Sequence, residues 1–509
     1  MSNGKTPSVP VLPTSPEEKD ALILKLQENV LSLTFELGNL KRLIFGRKAE
    51  RFVPAQPAVE QTVLFTEEAP SVGFAETKEN ITYERRKAVK KGHGRNPIPE
   101  GIYTEVIMLE PTAEEKHCDA CHTVKTCIGN DETTELEYKP AVLYAKKYVR
   151  PKYVCKKCPD TGVTTAPLPA RPIDRGVAGV SLIAWIIVSK YLDGLPLYRI
   201  EKIFKRYGIH INRSSMVGWI EQVCRYLENI HEAMKKDLLV SGYIQADETP
   251  LKVLDGETKG KAHLGYLFSY VGDGALALFD YRPGRGRVGP NEMLREYTGK
   301  YLMTDGYAGY LELVDRKNLA HLVCWVHARR GFFEAKDTEP EFSAKVLELI
   351  GKLYHIEQLA REGMMAPAKR FELRKRESAP VIEEIKRLIQ SPGKTILPKS
   401  PMGQAIGFAL NHWEKLNTFL QDGRLPIDNN LVERLIRTVA IARKNFLFCG
   451  SDEGAKRAAI IYSIIATCKL NDVEPFGYLT DVLTRIADYP AKDIRDLTPI
   501  QWKLSKNAQ

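Results

Sequence analysis

"GYIQADETPLKVL", residues 242–254, decides the fold class. Tyr243 to Ala246 read as a short strand, rich in the residue types that favour a pleated surface, and the run ends on a carboxylate, Asp247. A second apolar run, "KYLMTDGYAGY" (300–310), ends the same way on Asp305. "LGYLFSYVGDGALALFDYRPG" (264–284) and "AHLVCWVHARRGFFEA" (320–335) read as further β-rich runs, and a helical stretch falls at roughly 288–298. Strands alternating with helices predict an α/β domain with a mixed sheet. Acids at its strand ends stand where such a fold exposes charge to a ligand.

Downstream, residues 336–424 read as an almost wholly helical insertion, followed by "LPIDNNLVERLIR" (425–437). Asp428 is a good N-cap, and at about 100° per residue Leu431, Val432, Leu435, Ile436 and Val439 share one buried arc. Glu433 falls on the opposite face beside Asn429, Asn430 and Arg437. Taken alone it is a solvent-facing partner of Arg437, a pairing worth about 0.3–0.5 kcal/mol. Together with Asp247 and Asp305 it admits a second reading. Hard divalent ions such as Mg²⁺ or Mn²⁺ prefer carboxylate oxygens, and two of them about 3.5–4 Å apart stabilise both oxygens of an in-line phosphoryl displacement.

Upstream, the chain turns helical after Pro172, and "LPLYRIEKIFKRYGIHINRSSMVGWIEQV" (195–223) reads as a helix-turn-helix. Arg213, Ser214 and Ser215 would open its second helix, where base-edge contacts are normally made. Before it, Cys118-x-x-Cys121 and Cys155-x-x-Cys158 have the knuckle spacing of a tetrahedral zinc site. The 33 residues from 122 to 154 exceed the usual finger loop, but "ELEYKPAVLYAKKYVRPKYVC" (135–155) alternates like strands of a zinc ribbon. His117, His122 and Cys127 are competing ligands. Four filled positions would make the ion structural rather than catalytic.

Residues 1–20, rich in Pro, Ser and Thr, read as disordered. Ile23, Leu26, Val30, Leu33, Leu37, Leu40 and Ile44 alternate spacings of three and four, a coiled-coil seam over 21–50 that predicts self-association. Residues 51–100 read as a linker whose basic stretch offers Arg85, Arg86, Lys90, Lys91 and Arg95 to a DNA backbone or minor groove. The formal charge of +10 gathers in such clusters, the electrostatic footprint of a nucleic-acid partner. No signal peptide is legible, and the longest apolar run, 177–188, is too short to span a bilayer, so a soluble cytoplasmic protein without a membrane partner is expected. Nine cysteines in such a chain point to metal ligands or buried thiols instead of a disulfide framework.

With these segments in order, the chain resembles transposases of the IS66 family of bacterial insertion sequences. The landmarks are "LKRLIFGRKAER", the paired knuckles, "LPLYRIEKIF", "ADETP", "TDGYAGY", "CWVHARRGFFEA", "DNNLVERLIR", "ARKNFLFCGSDEGAKRAAIIYSII" and "KLNDVEPFGYLTDVLTRI", spanning about residues 21–487. The resemblance implies a zipper at 21–50 and a zinc-binding module at 101–170. It further implies an RNase H-like DDE domain at 239–445, after the helical region 171–238, and a C-terminal helical segment at 446–509. It names Asp247, Asp305 and Glu433 as catalytic acids. Cys324-x-x-His327 is similar to a pair seen near the active site of related transposases. Asn429 and Asn430 would position the Glu433 helix or a phosphate, and Arg434, Arg437, Arg443 and Lys444 are phosphate-contact candidates. Gly331, where the family usually has lysine, Thr438, where it usually has proline, and "GRGRVGPNEML" (284–294) depart from the pattern.

The expected activity is binding of terminal inverted repeats, metal-dependent cleavage and strand transfer, with small helper proteins of the same element as partners and the bacterial nucleoid as the place of action. A DNA-binding regulator that uses the acids only structurally, and a nuclease that cuts without joining, are the rival readings.

Overall fold

The computed structural model describes residues 104–139, 142–158, 162–173, 176–254, 261–393 and 395–507. The expected coiled coil and the basic residues Arg85, Arg86, Lys90, Lys91 and Arg95 lie outside the described residues.

The first sheet contains β1 (Thr104–Met108), β2 (Thr126–Lys139), β3 (Val142–Val154) and β4 (Val163–Thr165). β3 is its centre: β1 pairs parallel to it, β2 and β4 antiparallel. The expected strands are present, but burial along them does not alternate: Glu135, Leu136 and Glu137 are all buried, as are the neighbours Tyr144 and Ala145 and the neighbours Tyr148 and Val149. A register shift between Cys127 and Gly129 bends β2 near the knuckles.

Three helices follow, α1 (Val180–Tyr191), α2 (Leu197–Arg206) and α3 (Arg213–Leu239). α1 is the apolar run read from sequence and is buried on nearly every side. Gly208 supplies the left-handed turn (φ 76°) that ends α2. α3 buries Met216, Ile220, Val223, Leu227, Ile230, Met234 and Leu238, a stripe spaced by three and four that lies in the core of the second sheet.

That second sheet has β5 (Tyr243–Leu254), β6 (Ala262–Gly272), β7 (Ala277–Arg282), then after α4 (Val288–Met293) β8 (Tyr301–Thr304), and after α5 (Leu311–Lys317) β9 (Ala320–Val323). The spatial order is β7-β6-β5-β8-β9. β5, β6 and β7 are antiparallel, whereas β5, β8 and β9 run parallel. One expected strand is shorter than its reading: after Val323 the chain enters α6 (Trp325–Glu334). Trp325, Ala328 and Phe332 are its buried residues, and that spacing is helical.

The insertion contains α7 (Pro340–Glu362), α8 (Pro367–Leu373), a π-helical turn at Arg374–Ser378, α9 (Ala379–Gln390), α10 (Pro401–Asn411) and α11 (Trp413–Asn417). Its core joins the sheet through Tyr301, Met303, Leu322 and Val323. α12 (Asn430–Phe446), α13 (Asp452–Leu470), α14 (Pro475–Arg485) and α15 (Pro499–Asn507) complete the chain. The helices of 171–238 and those after 446 enclose no separate cores, because α1, α3, α13 and α14 share one continuous core with the sheet. Among the described residues no helix is long and apolar enough to cross a membrane.

Candidate active site

β5 and β8 are parallel neighbours whose pairing ends at Gln245 opposite Met303. Continuing that register by two residues sets Asp247 level with Asp305, on the side of the sheet where Tyr301 and Met303 meet the insertion. The sequence reading placed Asp247 at the end of its strand. It stands mid-strand instead, because β6 keeps pairing with β5 as far as Leu254, while β8 stops at Thr304. What ends beside Asp247 is its neighbour.

Both carboxylates are held locally. Asp247 Oδ1 accepts from the Glu248 N–H at 2.8 Å, and Asp305 Oδ1 from the Tyr307 N–H at 2.8 Å. Gly306, between Asp305 and Tyr307, takes φ 97°, a turn conformation that a side chain would strain.

Glu433 arrives on α12, anchored one turn earlier by Asn429. The Asn429 side chain is fully buried, donating from Nδ2 to the Ala246 carbonyl (3.1 Å), and its N–H reaches Cys324 Sγ (3.2 Å). Asn429, not Asp428, is therefore the N-cap residue, and its amide bridges to β5 instead of capping. Asp428 takes a neighbouring task, accepting from the N–H (3.1 Å) and Nδ2 (2.7 Å) of Asn430. Val432, Leu435 and Val439 are buried as the helical arc requires, while Leu431 and Ile436 are partly buried.

Among the described residues no ion pair joins Glu433 to Arg437, and Glu433 Oε1 is buried without a hydrogen-bond partner. Burial, then the nearby charges of Glu248, Asp305 and Glu433, push the Asp247 carboxyl up to about 7, against the Glu248 N–H that favours its charged form. His327 is drawn below the ordinary imidazole range by burial and by Arg330, with Glu433 and Asp305 opposing.

The donor atoms of Cys324, His327 and Glu433 lie within 4.8 Å of one another. Burial raises the Cys324 thiol to about 12, so it stays protonated and serves the start of α12 as a hydrogen-bond acceptor.

Sequence reading missed a second layer. Glu248, next to Asp247, accepts from Arg285 Nε at 2.8 Å and from the Tyr310 hydroxyl at 3.2 Å, and the Arg285 guanidinium stacks 4.1 Å over the Tyr307 ring. Arg285 belongs to the "GRGRVGPNEML" stretch, which carries no periodic signal. Gly331 also acquires a reason: a Cβ there would come within 3.2 Å of Ala405, so its bare backbone allows α6 and α10 to approach closely.

The basic candidates divide. Arg443 donates to the Pro250 carbonyl and so pins α12 to β5. Arg434, Arg437 and Lys444 are exposed along the outer face of the same helix. Of the helix-turn-helix residues, Ser214 is exposed and Ser215 half-buried, while Arg213 pairs with Glu201 at 3.1 Å.

Away from this site, the sulfurs of Cys118, Cys121, Cys155 and Cys158 form a group within 4.8 Å, with Cys121 and Cys155 3.4 Å apart. Cys118 lies in the turn closed by the His122 N–H donating to the Cys118 carbonyl (2.8 Å), and Cys155 directly follows β3. The Thr123 hydroxyl and N–H pull the Cys121 thiol down to about 6, which favours the thiolate that binds metal. The competing residues stand apart: His117 Nδ1 is bonded to the Ala113 carbonyl (2.7 Å), and Cys127 is exposed.

Comparison with known proteins agrees with these motifs. Residues 175–457 match the model "Transposase IS66 family", 463–500 the "IS66 C-terminal element", 115–159 the "zinc-finger binding domain of transposase IS66", and 32–107 "Transposase C of IS166 homeodomain". Two similar proteins come from Sinorhizobium fredii (strain NBRC 101917 / NGR234). "Uncharacterized protein y4jD" is 30% identical, with 95% of this chain and 97% of the relative covered. "Uncharacterized protein y4qI" is 32% identical, with 94% and 90% covered. The family model takes in more than half of the chain, including all three acids and the helix-turn-helix, and on that ground the protein belongs to the IS66 family of transposases.

Proposed function

We propose that this transposase cuts and joins DNA at the ends of its insertion sequence, with Asp247, Asp305 and Glu433 holding divalent metal ions. The observation that carries the reading is that parallel neighbours β5 and β8 carry Asp247 and, just past the end of β8, Asp305, with Asn429 tying the Glu433 helix to the backbone beside Asp247. The elevated Asp247 and the unpartnered Glu433 Oε1 fit a site made for positive charge. Bound there, Mg²⁺ or Mn²⁺ would polarise the phosphoryl oxygens and activate an attacking oxygen. The protein's part is to orient the three carboxylates, keep Cys324 as a neutral support, and offer Arg434, Arg437 and Lys444 to flanking phosphates. The strand order β7-β6-β5-β8-β9, three antiparallel strands followed by two parallel ones, supports an RNase H-like assignment for 239–445.

One zinc ion on Cys118, Cys121, Cys155 and Cys158 is proposed as structural, since the four sulfurs complete a tetrahedral shell. Arg213, Ser214 and Ser215, with the basic residues of 85–95, are proposed DNA contacts. Residues 21–50 would pair two copies, and so two element ends, with helper proteins of the element as further partners on the nucleoid.

The test incubates the full chain with duplex DNA carrying the repeats that flank its gene, with and without Mg²⁺. The reading expects strands ending in 3′-OH and then joined products. Binding without cleavage identifies a regulator, and cleavage without joining a nuclease.

A further inference from the structure

On the far side of α12 from the acids' end, a cavity of about 290 Å³ opens between α1, α3, β5 and the α12–α13 joint. Its size is at the small end of ligand cavities, about 300–1,000 Å³. Its walls are aromatic, with Tyr191, Phe446, Phe448 and Tyr462, and two cations, Lys190 and Arg457, line it. Among the described residues no carboxylate pairs with either cation, and the Lys190 ammonium lies over the Phe446 ring at 4.6 Å. The Tyr462 side chain is 4% exposed, yet its hydroxyl has no hydrogen-bond partner. Ser451 caps α13, accepting from Gly454 N–H at 3.1 Å, so the N-terminus of a 19-residue helix also borders the cavity. Cations that have no carboxylate partner and a helix N-terminus suit a phosphate, and flat aromatic walls suit a ring.

The position of the cavity narrows the ligand. Cys449 pairs with the end of β5, its N–H donating to the Lys252 carbonyl (2.8 Å) and its carbonyl accepting from Leu254 (2.9 Å). Leu251, in the cavity wall, is four residues along β5 from Asp247, about 13 Å at roughly 3.3 Å per residue. A DNA strand rises about 3.4 Å per nucleotide, so the cavity is a few nucleotides from a phosphate held at the acids. At the rim, Phe448 N–H donates to the Phe446 carbonyl (2.6 Å) around Leu447, whose φ of 57° and ψ of −38° form a strained γ-turn. That turn leaves Leu447 63% and Phe448 47% exposed, apolar side chains of the kind that wedge between base steps.

We infer that this cavity takes one unstacked nucleotide of the DNA substrate, its base between the aromatic walls and its phosphate on Lys190, Arg457 and the α13 N-terminus. The inference rests on the DNA reading above, but it needs neither metal nor cleavage. It is tested with the full-length protein in EDTA by fluorescence anisotropy, using a labelled duplex with a four-nucleotide single-stranded overhang, the same duplex with an abasic overhang, and a blunt duplex. Base stacking on aromatic side chains is worth about 1–3 kcal/mol per base, so removing the overhang bases is expected to weaken wild-type binding about tenfold. Lys190→Met, which keeps the stem, and Gly454→Leu, which fills the cavity, are expected to bind both overhangs at the abasic level.

Equal wild-type binding of intact and abasic overhangs overturns the inference, as does a tenfold preference that survives in Lys190→Met. In either case, retained binding of the blunt duplex leaves the DNA reading standing. Failure to bind any of the three duplexes overturns that reading instead.

Discussion

Thr304 is the last residue of β8, immediately before Asp305, and its hydroxyl holds two neighbours. It accepts from the Gly306 N–H at 3.1 Å and meets His321 Nε2 at 2.8 Å, while His321 Nδ1 is buried without a partner. Burial, followed by the Lys415 and His412 charges, lowers His321 to about 4. An unfolded histidine titrates near 6.5, so between about 6.5 and 4 the unfolded chain binds more protons than the folded one. Stability from this site is present above about 6.5 and is lost as pH falls toward 4, by up to about 3 kcal/mol at 1.36 kcal/mol per pH unit. His321→Gln keeps an acceptor for Thr304 and is expected to flatten the decline of the urea midpoint across that window. Parallel profiles for the two proteins would remove His321 from the account. Single residues were unevenly legible in the sequence. The Asp305 turn announced itself, because an apolar strand ends there on Asp-Gly. The Glu248–Arg285–Tyr310 contacts did not, because they join a strand, an aperiodic loop and a short helix that only tertiary folding brings together.

Among the elements, the insertion is tied to the chain entering α12 by a buried cation. Arg374, fully buried in the π-helical turn, donates to both oxygens of Glu357 (2.7 and 2.9 Å) and to the carbonyls of Phe419 (2.7 Å), Asp422 (3.0 Å) and Leu425 (2.7 Å). Those carbonyls belong to the chain leading into "LPIDNNLVERLIR", so Arg374 fixes the entry to α12. Breaking a buried pair costs about 3–5 kcal/mol, and because Glu357 keeps Arg370 as a second partner, the lower end applies, set chiefly by the three carbonyls left without a donor. Arg374→Met is expected to lose that much in denaturant unfolding. The double variant Glu357→Leu/Arg374→Met is expected to lose less, since Arg370, the other partner of Glu357, is partly exposed and can turn to solvent. A double variant no more stable than the single one would show that the carbonyl contacts, not the ion pair, matter. Elements were legible where one pattern dominates, as in the unbroken apolar run that becomes α1 and the one-sided apolar arc of α12. The run 320–335 reads as β-rich because the apolar residues of "AHLV" continue without a break into "CWV", and only the spacing of Trp325, Ala328 and Phe332 marks the change to helix. The buried latch had no sequence signal, since "RKRES" reads as an ordinary charged surface.

At the scale of the molecule, the cysteine sheet meets the core of the second sheet through β2: Leu136 lies in that core and bonds through its backbone to Val177 and Gly179, just before α1. Loss of the proposed zinc is therefore expected to loosen 104–165 first. Cys155→Ser should lose bound zinc and become sensitive to proteolysis there, while the second sheet keeps its thermal transition, and full zinc content in the variant would contradict the four-sulfur site. The acids themselves are tested most directly by Glu433→Gln, which keeps the size of the side chain and its place on α12 but replaces a charged ligand by a neutral amide. The measurement is Mg²⁺-dependent cleavage of terminal-repeat DNA by wild type and variant, with a gel-shift on the same preparations. The account predicts that cleavage falls by orders of magnitude while binding persists. Cleavage at near wild-type rate would contradict it and leave Glu433 a half-buried acid with no part in the chemistry.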